Sequence, residues 1–292
     1  MDYFTKIKQI FNRANIPTKL IYINVGIFIL IRLIIIICTL FQVGDANFIQ
    51  YLQMPSSLRL FIYRPWTIIT YMFLHVDFLH ILLNMLWLYW FGKIFLLYLN
   101  ARQFGGLYVS GGIFGALFFL IAYNTFPYFI HVVGSSFLMG ASASVMAIVF
   151  AISFYRKNHE INLLFIGRVK LIYLALFALA VDLLSVVSDN SGGHIAHIGG
   201  ALFGILFALQ YKKGKDITVF MNRLIDRLVN WEKKRPPRMT VSYKKTETDA
   251  AYNMRKRKES DTLDEILDKL KQSGYQSLSS EEKRILFDAS KK

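Results

Sequence analysis

The sequence predicts an all-α membrane protein: six membrane-crossing helices in one bundle, followed by a short helical tail outside the bilayer. Three observations carry this. Apolar residues make up 54% of the 292 residues and aromatic ones 15%. The charge is uneven: residues 1–211 hold 13 of the 34 Lys and Arg and 6 of the 19 Asp and Glu. A soluble domain is about one quarter charged, so the first two thirds of this chain are poorly suited to water. Finally, six stretches meet or approach the roughly 20 apolar residues that cross a hydrocarbon core as a helix. They are 20–43, 77–98, 105–124, 138–155, 169–188 and 193–211.

The first stretch has no small-residue cleavage site after it and reads as a retained span rather than a removable signal. It contains Cys38, the one cysteine of the chain, so no internal disulfide or thiolate zinc framework is available. Orientation follows the positive-inside bias of short loops. Lys6, Lys8, Arg13 and Lys19 precede the first span, Arg102 follows the second, and Arg156, Lys157, Arg168 and Lys170 follow the fourth. The connections 125–137 and 189–192 have no Lys or Arg. With six spans, both termini are then cytoplasmic in a cell (inner) membrane. Segments 1–19, 20–211, 212–260 and 261–292 divide as N-terminal segment, membrane domain, basic linker and small helical hairpin.

Spans two, four and six all run inward from the outer face, which fixes the depth of their polar residues. Ionisable groups in a span are costly and mark function or internal pairing. His80 and Asn84 lie in span two, Ser142 in span four and His197 in span six. Ser142 is about five residues into its span, roughly 7 Å deep at 1.5 Å per residue. The other three fall at a comparable depth, so one layer holds a serine, two histidines and an asparagine.

That set suits acyl transfer. A serine hydroxyl attacks once an adjacent neutral imidazole takes its proton, and the oxyanion then needs donors. Asn84, His80 and the Ser142 backbone N–H supply candidates. Gly140 beside the serine, and Gly200 with Gly204 one turn below His197, allow close helix approach. The set requires no metal and no cofactor.

At this point the chain resembles the rhomboid protease family. The resemblance rests on Arg64-Pro65-Trp66, His80-xxx-Asn84, Gly140-Ala141-Ser142-Ala143 and Ala196-His197-xx-Gly200-xxx-Gly204, and covers residues 15–212. It implies a Ser142–His197 dyad that cleaves transmembrane segments of other membrane proteins near the outer face, with His80 and Asn84 holding the oxyanion. It also implies that the connection 44–66 lies partly in the outer leaflet. Two residues depart from the usual pattern. Ala143 stands where glycine is commoner, and Met146 stands where some members pack a tyrosine under the histidine.

Other residues read more plainly. Ser144 faces away from Ser142 and packs, and His75 reads as an interfacial structural residue. His194 is the weaker candidate for the base. Asp182 reads more readily as a capping or interhelical hydrogen bond than as a third triad member. Two rival functions are a non-catalytic rhomboid-like protein that binds client helices, and a proton or metal site in a small transporter built on His80, His194 and His197.

In the tail, Val219, Phe220, Leu224, Leu228 and Trp231 at helical spacing among basic residues predict a helix on an anionic inner membrane surface. Residues 232–259, with Pro236-Pro237 and Arg255-Lys256-Arg257-Lys258, read as a flexible linker. Membrane attachment accounts for this charge, and no nucleic-acid partner is expected. A helix on Leu263, Ile266, Leu267 and Leu270 ends at Gly274, and a capping box at Ser279-xx-Glu282 starts a second.

Overall fold

A computed structural model describes residues 3–42, 46–163, 167–229 and 249–290. The elements up to Val229 belong to one compact unit, and those from Asp249 to a second.

The first unit opens with α1 (Tyr3–Arg13) and α2 (Ile16–Phe41). Asn15 caps α2 by accepting from the Thr18 amide at 3.1 Å. At 26 residues α2 is about 39 Å long, ample for a bilayer core. Its outward face leaves Ile29, Leu30, Leu33 and Ile37 exposed, an apolar stripe suited to lipid. Its one buried polar residue, Asn24, donates to the Leu20 carbonyl at 2.8 Å and to the Tyr108 hydroxyl at 3.3 Å.

The connection from residue 46 to 77 is built rather than loose. It holds β1 (Met54–Pro55), α3 (Leu58–Tyr63) and α4 (Thr67–Thr70) between short 3-10 turns. Trp66 donates its indole N–H to the Tyr51 carbonyl at 2.8 Å, and the Arg64 guanidinium lies 4.0 Å from the Tyr51 ring centre. Met54 and Ser56 are fully buried, whereas Ile62 and Tyr63 stand out from the surface.

Next come α5 (Phe78–Tyr98), α6 (Ala101–Thr125), β2 (Phe137–Leu138), α7 (Ser142–Tyr155), a hairpin of β3 (Glu160–Leu163) and β4 (Gly167–Lys170), α8 (Leu171–Leu184) and α9 (Ser191–Lys212). β2 pairs antiparallel with β1, Met54 opposite Leu138 and Pro55 opposite Phe137. This ties the first connection to the strand that leads into Ser142. α7 is apolar all round and so takes the centre: every residue from Ala143 to Ser153 is buried. α5, α6, α8 and α9 pack around it.

Among the described residues four helices, α2, α5, α6 and α9, are long and apolar enough to cross a membrane. α7 and α8 are apolar but have 14 residues each, about 21 Å against a core of roughly 30 Å. The stretch 138–155, expected as one span, is divided. Gly140 adopts φ +117°, a backbone conformation that stops any helix, and α7 begins only at Ser142. The serine therefore sits at the helix start, not five residues inside it.

α10 (Val219–Val229) docks by its polar face on the first turns of α6. Asn222 is buried there, Arg102 pairs with Asp226, and Gln103 donates to Asp216 at 3.1 Å. A side-chain carbon on Gly106 would lie 2.6 Å from Asn222 Oδ1, so a glycine is needed for the contact. Phe220, Leu224 and Leu228 remain exposed on the other face. Trp231 and the expected linker residues 232–248, Pro236 and Pro237 included, lie outside the described residues.

The second unit corrects the linker expectation for residues 249–259, which form the start of α11 (Asp249–Ser273). Ala, Arg, Lys and Glu are strong helix formers, and their propensity outweighs the like-charge run. Gly274 turns the chain at φ +74°, and α12 (Ser280–Ala289) follows with the Ser279–Glu282 capping box complete. Ile266 and Leu278 are the hairpin's buried apolar residues, and Lys269 bonds Glu282 at 2.9 Å.

Candidate active site

The segment feeding Ser142 is held at each amide. The Gly140 N–H donates to the Tyr71 carbonyl at 2.9 Å, and the Ala141 N–H donates to His75 Nε2 at 3.3 Å. His75 is therefore not interfacial: it is fully buried and braces the backbone one residue before the serine. No side chain caps α7. The first-turn amides, that of Ser142 among them, have no partner within the helix, and their dipoles favour negative charge at this end.

α5 supplies the facing wall. Asp77 caps it by accepting from the His80 amide at 2.7 Å. A side-chain carbon built on Gly140 would lie 3.0 Å from His80 Nε2 and 3.7 Å from Ser142 Oγ, so these two groups flank one point and only glycine leaves it clear. One turn on, Asn84 donates one amide hydrogen to the His80 carbonyl at 3.0 Å, which leaves its second for the cavity.

α9 brings His197, and its seam with α7 is set by glycines. A side-chain carbon on Gly200 would fall 2.1 Å from the Ala143 carbonyl oxygen, and one on Gly204 2.2 Å from that of Ala147. Any larger residue would push the helices apart. His197 Nδ1 lies 2.8 Å from Asp182 Oδ1, and His194 Nδ1 lies 2.8 Å from the same oxygen. Asp182 is buried. Its bonds are interhelical, α8 to α9, and one of them ends on the candidate base itself. An aspartate in an otherwise apolar span was the available signal.

The consequence is chemical. A carboxylate only accepts, so each histidine presents Nδ1–H to it. Nε2 of a neutral His197 is then unprotonated and basic. His80, Asn84, Ser142, Met146, Asp182 and His197 line one cavity of about 660 Å³. Met146 among them is buried. The hydrogen bond on the His197 ring here comes from Asp182.

Residues 63–213, from the end of α3 through α9, match the model of the rhomboid domain. Residues 246–292 match a family of unknown function (DUF6576). Among characterised proteins, the RHOMBOID-like protein 12, mitochondrial, of Arabidopsis thaliana is 32% identical over 166 residues, 52% of this chain and 48% of that protein. The aligned region thus spans about half the length of that relative. The domain match alone takes in more than half of the 292 residues and encloses Ser142, His197, His80, Asn84 and Asp182. With its apolar helices, the chain is a multi-pass membrane protein of the rhomboid family.

Proposed function

We propose that this protein is an intramembrane serine endopeptidase that cleaves transmembrane segments of other membrane proteins near the outer face. The observation that carries the reading is the Asp182–His197 bond at 2.8 Å, which leaves a basic Nε2 in the same cavity as Ser142. His197 Nε2 takes the Ser142 proton as Oγ bonds to the scissile carbonyl carbon. The Ser142 amide, His80 and Asn84 meet the resulting oxyanion. The C–N bond then breaks, with His197 returning its proton to the leaving amine. Water, deprotonated by the same ring, releases the acyl group. Asp182 balances the imidazolium charge in each step.

The cavity has α5 residues Leu83 and Trp87 on one side and α8 residues Phe177 and Val181 on the other. An apolar substrate segment fits between such walls. In this reading α7 and α8 complete six spans, both termini are cytoplasmic, and α10 rests its exposed apolar face on anionic lipid. The membrane we assign is the cell (inner) membrane. A mitochondrial one, the compartment in the plant relative's name, is the second reading, and fractionation of native membranes separates the two.

The test is cleavage of a reporter span with small residues and helix-weakening Gly or Pro near its outer end. Wild-type protein should cut it, while Ser142→Ala and His197→Ala should not, with unchanged thermal unfolding. Cleavage that persists in both variants would sink the mechanism. Binding of the reporter without any cleavage by the wild type would favour the client-binding alternative.

A further inference from the structure

We propose that Asp182, His194 and His197 form a site for a divalent cation of the zinc type, and that filling it switches off the base. The second half rests on the protease reading above; the site itself does not. The donor atoms are two imidazole Nδ1 and one carboxylate oxygen, all within 4.8 Å of one another. Both nitrogens already converge on Asp182 Oδ1 at 2.8 Å. Histidines three apart on α9 share a face, so the pair is pre-set before any ion arrives.

The chemistry fits. Imidazole and carboxylate suit zinc, and two histidines with one acidic residue make a three-ligand set whose fourth position takes water. Tetrahedral bonds of about 2.0–2.1 Å put neighbouring donors roughly 3.3 Å apart. Each 2.8 Å pair needs to open by about half an ångström, which places the ion where the two hydrogen bonds now run. α8 has the freedom for that. Apart from Leu171, Ala175 and Asp182, its side chains are not buried, and Phe177, Leu183 and Leu184 stand well out. The two histidine side chains are each 19% exposed, so an ion reaches them without crossing the core.

The effect on the base follows from the ring. Without metal, the single proton of neutral His197 is on Nδ1, held by Asp182, and Nε2 carries the lone pair. A cation on Nδ1 uses that nitrogen's lone pair, and the proton passes through water to Nε2. No proton is lost overall, but Nε2 becomes a donor and can no longer accept from Ser142. The ion is therefore an inhibitor competing with the Asp182 hydrogen bond, not a cofactor.

The experiment uses the full chain in detergent. Zinc is titrated by calorimetry into protein carrying Ser142→Ala, so that binding is read without catalysis. One ion per chain is expected, with affinity falling at least about tenfold when His194→Ala is added. Equal affinity in the two proteins overturns the site. Should His194→Ala not fold, X-ray absorption of the zinc-loaded parent decides. Two imidazoles and an oxygen at about 2.0–2.1 Å support the site, and a shell lacking the imidazole pair overturns it. In the activity arm, zinc should stop reporter cleavage by wild-type protein, and EDTA should restore it. Binding without inhibition overturns the switch. No cleavage by zinc-free protein overturns the protease reading and the switch together, while the titration still decides the site.

Discussion

The two sides of α9 hold His197 by opposite means. Toward α7 the contact is backbone on backbone, made possible by Gly200 and Gly204, whose missing side chains would collide with the Ala143 and Ala147 carbonyls. Toward α8 the helices meet through side chains, and Asp182 ties them with two hydrogen bonds. The glycine seam fixes where the histidine's backbone lies relative to Ser142. The carboxylate fixes which way the ring faces and which nitrogen is basic. Position and tautomer are thus set by different neighbours, and they are separable by mutation.

The largest effect is expected on the carboxylate side. Asp182→Asn keeps the volume but can offer Nδ2–H to His197, which favours the tautomer with its proton on Nε2. By analogy with the aspartate of serine-protease triads, the cleavage rate should fall about 10²–10⁴-fold. KM and the unfolding temperature should change little. A purely structural role for Asp182 predicts the reverse: a lowered unfolding temperature with kcat nearly kept.

The seam should respond the other way. Gly200→Ala places a carbon 2.1 Å from the Ala143 oxygen, which the backbone must relieve by moving. Overpacking of this kind costs about 1–3 kcal/mol. Thermal unfolding in detergent should drop accordingly, and cleavage should fall because Ser142 and His197 separate. An unchanged unfolding temperature would mean that the seam is looser than its geometry implies.

Much of the site was legible in the residues themselves. Serine, histidines and asparagine in apolar spans stand out because burying them is costly, and the Gly200–Gly204 spacing marks a close helix contact without further information. What the sequence could not convey was conformation decided by distant partners. Ser142 starts α7 rather than sitting within it because Gly140 takes a positive φ and because Tyr71 and His75 occupy the two preceding amides. No periodicity reports that. Asp182 was visible as an anomaly, but its partner depended on the register of α8 against α9. The basic run from Arg255 to Lys258 has the charge density of a linker, but its helix propensity prevails in the chain.

A smaller effect is expected at α10, which attaches the tail to α6 rather than placing a histidine. Asn222 is buried on α6 and donates to Thr218 Oγ1 at 3.1 Å. Asn222→Ala should cost about 1 kcal/mol, the usual net worth of such a bond, plus lost packing against Gly106. Protease cleavage within 219–229 should quicken, while reporter cleavage at the site, which shares no side chain with this contact, should hold.

The smallest effect belongs to the hairpin, which has a charge pair where the membrane unit has glycine seams. The Lys269 ammonium, and after it the Ser279 backbone N–H, hold the Glu282 carboxyl down from an ordinary 4.5 to about 2. The folded hairpin therefore binds this proton more weakly than the unfolded chain does, so ionised Glu282 favours the folded form. That contribution is complete above about pH 4.5 and is lost as pH falls toward about 2. Deuterium exchange of the intact chain, corrected for the intrinsic rate at each pH, should show protection of α12 falling across that window. Lys269→Ala removes the first cause of the shift, so its profile should be flatter there. Parallel profiles for the two proteins would mean that the Ser279 capping box alone holds the start of α12.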